Sequence, residues 1–320
     1  MKMVLMSVRC RRAGALAALL VLVALTGCAS AGRASTDAPR MQLTIVAAFY
    51  PLQFVAQRVA GGHAVVTNLT QPGAEPHDLE LTPRQVASLT TASLVVYQKG
   101  FQPAVDEAVA QSENAAVIDT TTIVPTRPLP ATGDDLGNPE RAGHDHSALD
   151  PHVWLDPMAV SRIARAVEER LSAIDPDHAA DYAGNAAALD NELRSLDRSF
   201  RSGLADCVRT EFITTHNAFG YLAEQYQLTQ IAISGLSPDS EPSPARIAEV
   251  QRIAQDRGLT TIFSETLVSP DVARAIASDL GLVTDVLDPI EGITDQSRGQ
   301  DYLSVMASNL AALRKAGGCS

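Results

Sequence analysis

The stretch Asp150–Pro157 (Asp-Pro-His-Val-Trp-Leu-Asp-Pro) carries an imidazole on a backbone that proline makes rigid. Because proline fixes φ and lacks an amide hydrogen, Pro151 and Pro157 keep both ends of the stretch out of a helix interior. His152 is therefore predicted on a short extended segment, and such a rigid position suits a metal ligand. A histidine beside Trp154, the only tryptophan, could equally be a packed core residue, so the rest of the chain must supply partner ligands.

Further metal-competent side chains follow predicted strands. In βα units, the loops after the carboxyl ends of strands meet at one edge of the sheet, where ligands bind. Three imidazoles and one carboxylate at such an edge form a set that Zn²⁺ accepts in a tetrahedral shell. The candidates are His77, His152, His216 and Asp288. The remaining histidines are predicted as solvated side chains of loops or a polar helical turn; they are His63, His144, His146 and His178.

Short apolar runs alternate with helical patterns in both halves of the chain, which predicts mostly parallel sheets. Thr82 and Pro83 have the residue types of an N-cap and a first helical position. The predicted strands are 41–49, 64–69, 93–97, 116–119, 211–215, 230–233, 261–264 and 283–287.

Residues 176–206 form the longest periodic segment. Apolar residues from Tyr182 to Phe200 recur in steps of three and four, which places them on one face of a helix. Such a helix would be ~45 Å long, and we interpret it as a rigid strut between two lobes; a coiled coil would need a partner helix of similar length. The predicted fold is therefore α/β, with an N-terminal lobe over 41–175, a connecting helix over 176–206 and a C-terminal lobe over 207–320. A chain of this length can give each lobe its own core.

Residues 124–149 interrupt the pattern with several prolines and glycines, which is typical of a surface loop. His144 and His146, near its end, could collect metal loosely or simply be solvated.

Residues 1–28 have a basic start and an apolar run too short to span a bilayer comfortably, which predicts a secretion signal. The run ends in Leu-Thr-Gly-Cys, which resembles a lipobox and implies lipidation of Cys28; an ordinary signal peptide is the alternative. Residues 29–40 are small and polar and are predicted to be a flexible tether. With Cys10 in the signal, Cys207 and Cys319 are left in an oxidising compartment, where one disulfide is expected, free thiols or a metal-bound pair being the alternatives.

The formal net charge of −12 becomes more negative without residues 1–28, which contain four basic and no acidic residues. An acidic surface argues against nucleic acid as a partner. It suits an extracytoplasmic protein held at the membrane by the lipid on Cys28.

Four segments together carry a family resemblance. Pro72–Asp78, Asp150–Pro157, Thr215–Tyr221 and Leu287–Pro289 resemble, in order and rough spacing, the signature of the metal-binding lipoproteins of zinc and manganese ABC importers. The resemblance covers nearly all of the chain after the tether. It implies two α/β lobes joined by one rigid helix, with a metal buried between them.

The resemblance also implies a ligand set: His77, His152, His216 and Asp288 are the expected ligands. Glu265 matches an acidic position close to the family's site and is expected to orient a ligand or to replace one. Glu75, beside His77, is another oxygen donor. A third imidazole at position 216 favours Zn²⁺ over Mn²⁺, which prefers oxygen donors; Mn²⁺ (or Fe²⁺) is the alternative metal.

These features predict a monomeric, non-enzymatic protein that captures Zn²⁺ and delivers it to the permease and ATPase of an ABC importer. A zinc hydrolase would need a general base and room for substrate, and Asp288 would close the site. A metal-binding adhesin is a further hypothesis that the lipid anchor suits equally well.

Overall fold

The first sheet is parallel and lies in the N-terminal half of the chain. The computed structural model describes residues 42–114, 116–128 and 149–320, so the predictions on residues 1–40, Cys28, His144 and His146 lie outside the described residues. In the sheet the strands are ordered β2-β1-β3-β4. Their bounds are β1 Leu43–Ala47, β2 Ala64–Asn68, β3 Leu94–Tyr97 and β4 Val117–Asp119.

Helices connect these strands, as the alternating pattern predicts. Helix α1 spans Tyr50–Ala60, α2 spans Pro83–Thr91 and α3 spans Pro103–Gln111. Thr82 caps α2 by accepting a hydrogen bond from Gln85 N, and the Thr82 backbone amide donates in turn to Oε1 of the Gln85 side chain. Pro83 stands in the first turn, where its missing amide hydrogen costs no helical hydrogen bond. The predicted start of α2 is thus confirmed.

The second sheet is also parallel, with strand order β10-β9-β7-β8. Its strands are β7 Glu211–Thr214, β8 Thr229–Ala232, β9 Thr261–Ser264 and β10 Val283–Val286. The helices around it are α6 Gly220–Gln225, α7 Pro244–Arg257 and α8 Asp271–Leu280. Gly258 and Gly281 end α7 and α8 with positive φ, a conformation that glycine adopts without steric cost.

One strand pair was not predicted from the sequence. Strand β5 (Arg127–Pro128) pairs antiparallel with β6 (Leu149–Asp150), so the two ends of the predicted loop 124–149 lie side by side. The pair matters for the site, because Asp150 begins the stretch that carries His152.

A single long helix, α5, separates the two sheets in the chain. It spans Ala179–Leu204, about 39 Å, and follows a short 3₁₀ turn at Pro176–His178. It packs along α4 (Pro157–Ile174) and against α1 and the last helix, α9 (Tyr302–Gly317). The predicted apolar stripe is buried; it includes Tyr182, Leu189, Leu193, Leu196 and Phe200. The α/β fold with two parallel sheets and one long connecting helix is confirmed, while the predicted domain boundaries stay predictions.

The core differs from the expectation that each lobe would have its own. One cluster of buried apolar residues runs from Ile45 in β1 through α4 and α5 to Phe219, Leu287 and Leu313 in the second half. Only a small second cluster, around Ile213, lies within the second sheet and its helices. The physical reason is that α5 and α9 bury apolar side chains against elements of both halves. Contacts accordingly group Gln42–Ser320 into one compact unit.

The predicted disulfide between Cys207 and Cys319 is present. It joins the segment before β7 to the residues after α9. The same junction is supported by Arg209, whose backbone amide donates to Gly317 O at 3.0 Å.

Candidate metal centre

Three imidazoles and one carboxylate converge between the two sheets. One ligand atom from each of His77, His152, His216 and Glu291 lies within 4.8 Å of every other. Oε1 of Glu291 lies 3.3 Å from Nε2 of His77, 3.2 Å from Nε2 of His152 and 3.6 Å from Nε2 of His216. Donors on a tetrahedral shell ~2.1 Å from a Zn²⁺ ion would be ~3.4 Å apart. The spacing therefore fits a small cation in a shell of three nitrogens and one oxygen.

His77 is positioned by a tight loop after β2. Its backbone amide donates to Oε1 of Glu75 at 3.1 Å, and the amide of Asp78 donates to Oε2 of the same side chain at 3.2 Å. The ring of Phe101 packs edge-to-face against the His77 ring, with the ring centroids 4.6 Å apart. The side chain of His77 is 12% exposed, whereas those of the other three members are at most 1% exposed. His77 is therefore the member of the cluster nearest to solvent.

His152 is oriented by the carboxylate two residues before it. Oδ1 of Asp150 accepts hydrogen bonds from the backbone amide of His152 at 3.0 Å and from its Nδ1 at 2.8 Å. With Nδ1 donating to Asp150, Nε2 is left to face Glu291. This carboxylate–histidine pairing is the usual way in which proteins fix the tautomer of a metal-binding imidazole.

Trp154 connects the His152 stretch to the second half of the chain. Its indole Nε1 donates to Pro289 O at 2.7 Å, and Tyr302 donates its hydroxyl hydrogen to Trp154 O at 2.7 Å. Pro289 lies two residues before Glu291. Trp154 thus fixes the distance between the His152 imidazole and the Glu291 carboxylate.

His216 follows strand β7 and is held by Glu265, which follows β9. Oε2 of Glu265 lies 2.6 Å from Nδ1 of His216, and Oε1 accepts from the His216 backbone amide at 3.2 Å. Glu265 therefore contacts the nitrogen that faces away from Glu291. Of the two roles expected for Glu265, this geometry matches the orienting one.

The carboxylate that joins the three imidazoles is Glu291 and not the predicted Asp288. Asp288 lies outside the converging group: its Oδ1 accepts from the Ile290 amide at 2.8 Å and its Oδ2 from the Ser297 hydroxyl at 3.0 Å. Ile290 has φ of 60°, a conformation that is strained for a β-branched residue. The turn that Asp288 closes through Ile290 directs the next side chain, Glu291, into the cluster. The physical reason for the difference is that Asp288 is engaged by the turn itself.

Charge and burial act in opposite directions on the pKa values of the cluster. Burial would raise the pKa of Glu291, but the three neighbouring imidazoles hold it well below its usual range. Burial lowers the pKa of His152, yet the Asp150 and Glu291 carboxylates leave it raised. Burial also lowers the pKa of His216, but the Glu265 and Glu291 carboxylates raise it to about 10. The free site therefore carries protons that a cation would replace.

Two ring nitrogens that face the centre of the cluster, Nε2 of His152 and Nε2 of His216, are buried and lack a hydrogen bond of good geometry. Nδ1 of His216, which faces Glu265, also lacks one. Leaving such an atom unpaired in the interior costs free energy of about 1–3 kcal/mol. Coordination of a metal ion would satisfy both Nε2 atoms, so the residues present fit a divalent cation.

Comparison of the chain with known proteins gives a consistent result. Residues 45–316 match the model of the family described as ZnuA, the periplasmic zinc-uptake complex component A. The zinc-binding lipoprotein AdcA of Streptococcus pneumoniae strain R6 is 36% identical over 86% of this chain, which spans only 56% of that protein's length. The high-affinity zinc uptake system protein ZnuA of Bacillus subtilis strain 168 is 32% identical over 93% of this chain and 95% of its own.

The fold agrees with the sequence comparison. The crystal structure of the Zn(II)-bound ZnuA-like domain of S. pneumoniae AdcA has a TM-score of 0.72 to this chain and 34% identity, covering 87% of this chain and 99% of that domain. Members of this family are components of zinc uptake and not enzymes, as the sequence predicts. Because the family model spans most of the chain, this protein belongs to the ZnuA family of zinc-uptake solute-binding proteins.

Proposed function

We propose that this protein captures Zn²⁺ outside the cytoplasmic membrane and delivers it to an ABC importer. The observation that carries the proposal is the approach of three Nε2 atoms to one Glu291 oxygen at 3.2–3.6 Å in the protein interior. His77, His152, His216 and Glu291 are the proposed ligands. The zinc for which the relatives are named agrees with this chemistry.

The donor set favours zinc over manganese. Three imidazole nitrogens suit a borderline cation, whereas Mn²⁺ favours carboxylate, carbonyl and water oxygens. Glu75 is an additional oxygen donor beside the cluster, with Oε1 3.9 Å from Nε2 of His77. It is engaged by two backbone amides, so we assign it the role of holding His77 in place.

The burial of the cluster favours transport over catalysis. A hydrolytic zinc site needs an open coordination position for water and space for a substrate. Here His152, His216 and Glu291 have at most 1% of their side chains exposed, and Glu291 occupies the fourth position. A closed site of this kind suits retention of the ion until a partner opens it.

The partners and the location extend the proposal beyond the described residues. We infer that the permease and ATPase of an ABC importer are the partners, that Cys28 carries the lipid anchor and that the protein is a monomer. Among the described residues, no helix has the length and apolar character required to cross a bilayer. Adhesion stays a prediction, since no contact in the described part of the chain specifically favours it.

Calorimetric titration of metal-free protein with Zn²⁺, and with Mn²⁺ in competition, tests the proposal. We expect one Zn²⁺ per chain, preference for Zn²⁺, and a higher melting temperature with zinc, because a ligand that binds only the native state stabilises it. His152→Ala should abolish most of this shift while the metal-free protein stays folded.

His178→Ala is the matched control, because His178 stacks on His63 with ring centroids 4.0 Å apart and has no place in the cluster. The proposal fails if wild type does not bind zinc, or if His152→Ala retains the full shift.

A further inference from the structure

We propose that Arg127 is a positioning residue for the metal centre, acting through Asp150 to hold the His152 imidazole towards the ion. The inference rests on the proposed function only in taking His152 as a ligand. Arg127 lies in β5, and the antiparallel register of β5 and β6 places it directly opposite Asp150.

Asp150 is a buried carboxylate that needs a counter-ion. Its side chain is 1% exposed, and its Oδ1 already accepts from the amide and from Nδ1 of His152. Its Oδ2 has no hydrogen bond, and the nearest cationic atom is Nη2 of Arg127 at 3.5 Å. Burying a carboxylate without a compensating charge costs free energy, and the guanidinium supplies that charge on the side of Asp150 that His152 does not contact. The guanidinium therefore holds the Asp150 carboxylate in the position from which it orients His152.

The guanidinium is itself held from the second half of the chain. Its carbon lies 4.6 Å from the ring centroid of Tyr221, and the hydroxyl of that residue accepts from the Arg127 amide at 3.0 Å and donates to Asp150 O at 3.3 Å. Nη1 of Arg127 also forms an ion pair with Glu224, but the Glu224 side chain is 72% exposed, so this pair contributes little to holding the guanidinium. Arg127 thus connects α6, which follows β7, to the loop that carries His152.

Gly220 provides the space for this arrangement. A Cβ on Gly220 would lie 2.1 Å from Nη2 of Arg127 and 2.7 Å from Oδ2 of Asp150. No side-chain carbon can approach that closely, so any larger residue would displace the guanidinium from the carboxylate. The contact between Arg127 and Asp150 therefore depends on the absence of a side chain at Gly220.

Zinc affinity and the Co²⁺ absorption spectrum of Arg127→Gln test the proposal on the full-length protein. Loss of a partner that orients a metal-binding imidazole typically lowers affinity about 10–100-fold, and we expect a loss in that range. The visible spectrum of the variant saturated with Co²⁺ should also change, because the His152 ring would be held differently. Arg127→Lys should restore part of the affinity by keeping the charge.

Glu224→Gln is the matched control, because it removes the exposed partner of Arg127 and leaves the contact with Asp150. Exposed ion pairs contribute little, so this variant should bind zinc as wild type does. If Arg127→Gln does not fold, Gly220→Ala tests the same contact without removing the arginine, and it should reproduce the loss of affinity and the spectral change.

The proposal is overturned if Arg127→Gln binds zinc like wild type, or if its affinity falls while the saturated Co²⁺ spectrum is unchanged, since Arg127 would then only support the fold. Failure of wild type to bind zinc would instead refute the proposed function. The two failures are therefore distinguishable.

Discussion

Glu291 and Asp288 are three residues apart, yet their carboxylates have different partners. Glu291 approaches three imidazoles, whereas the two oxygens of Asp288 accept hydrogen bonds from the Ile290 amide in its own turn and from the Ser297 hydroxyl. A ligand and a turn-forming residue should respond differently to loss of charge. The comparison of the two residues is therefore the sharpest test of the oxygen donor.

We predict that Glu291→Gln weakens zinc binding by more than the ~10–100-fold that loss of an orienting partner costs. The reason is that the substitution removes the only anionic donor among the four converging groups. Asp288→Asn should mainly lower the melting temperature of the metal-free protein and should weaken zinc binding much less. Titration calorimetry on both variants measures the difference. The opposite order of affinities would return Asp288 to the ligand set.

We predict that zinc affinity rises with pH. The pKa of His216 is raised to about 10, chiefly by Glu265 acting against burial, and that of His152 is also raised. The free site therefore holds protons at neutral pH, and zinc must displace them because a protonated imidazole cannot ligate. Affinity should fall steadily from pH ~8 to pH ~5.5.

Titration in buffers of different ionisation enthalpy counts the protons that zinc releases. Glu265→Gln, which removes the carboxylate charge beside His216, should release fewer protons at pH 7 than wild type. An affinity that does not change with pH would contradict both the pKa values and the ligand assignment.

At the scale of elements, the strands and helices were largely predictable. Strands of a parallel sheet that are buried on both faces are continuous apolar runs, and β3, for example, is buried throughout its length. The helices begin at residues with specific chemistry, such as Thr82 and Pro83. His216 was predictable for the same reason, because it follows a strand that the sequence marks. His77 and His152 were predictable because each directly follows a proline in a segment that cannot be a helix interior.

The elements that were missed depend on tertiary structure. Strands β5 and β6 have two residues each, too few for any hydrophobic period. Glu291 was missed because its direction depends on Ile290, whose positive φ is one that isoleucine rarely adopts. The only local signal was an acidic residue three positions after Asp288. Neither the turn nor its strain could be inferred from residue types.

The end of α9 is fixed to the segment before β7 by the disulfide, and this junction gives a prediction at the same scale. Replacing both Cys207 and Cys319 by serine should lower the free energy of unfolding by about 2–5 kcal/mol. Zinc affinity should stay close to that of wild type, because none of the contacts that hold the four converging groups involves either cysteine. Chemical denaturation and zinc titration of the double variant measure the two effects. A large loss of zinc affinity would show that the junction also shapes the site.

At the scale of the whole molecule, the shared core determines how the lobes can move. The large apolar cluster includes Phe49 in the first half and Phe219 and Tyr302 in the second, and α5 packs against helices from both. Opening the lobes would expose part of this cluster to water, at about 25 cal/mol per Å². Opening would also stretch the hydrogen bonds from Trp154 to Pro289 and from Tyr302 to Trp154. Zinc release is therefore expected from local changes near His77, the ligand nearest to solvent, and not from wide separation of the lobes.

We predict that the two halves unfold together. Because the large cluster joins them, disrupting either half exposes apolar surface of the other, and a cooperative two-state transition is expected. Fluorescence of Trp154, which reports on the first half and the metal centre, should change at the same urea concentration as far-UV circular dichroism, which reports on all helices and strands. Zinc should shift both transitions equally. Two separated transitions, with the later one insensitive to zinc, would show that the small cluster around Ile213 supports an independent folding unit, and the halves would then have to be treated as separate domains.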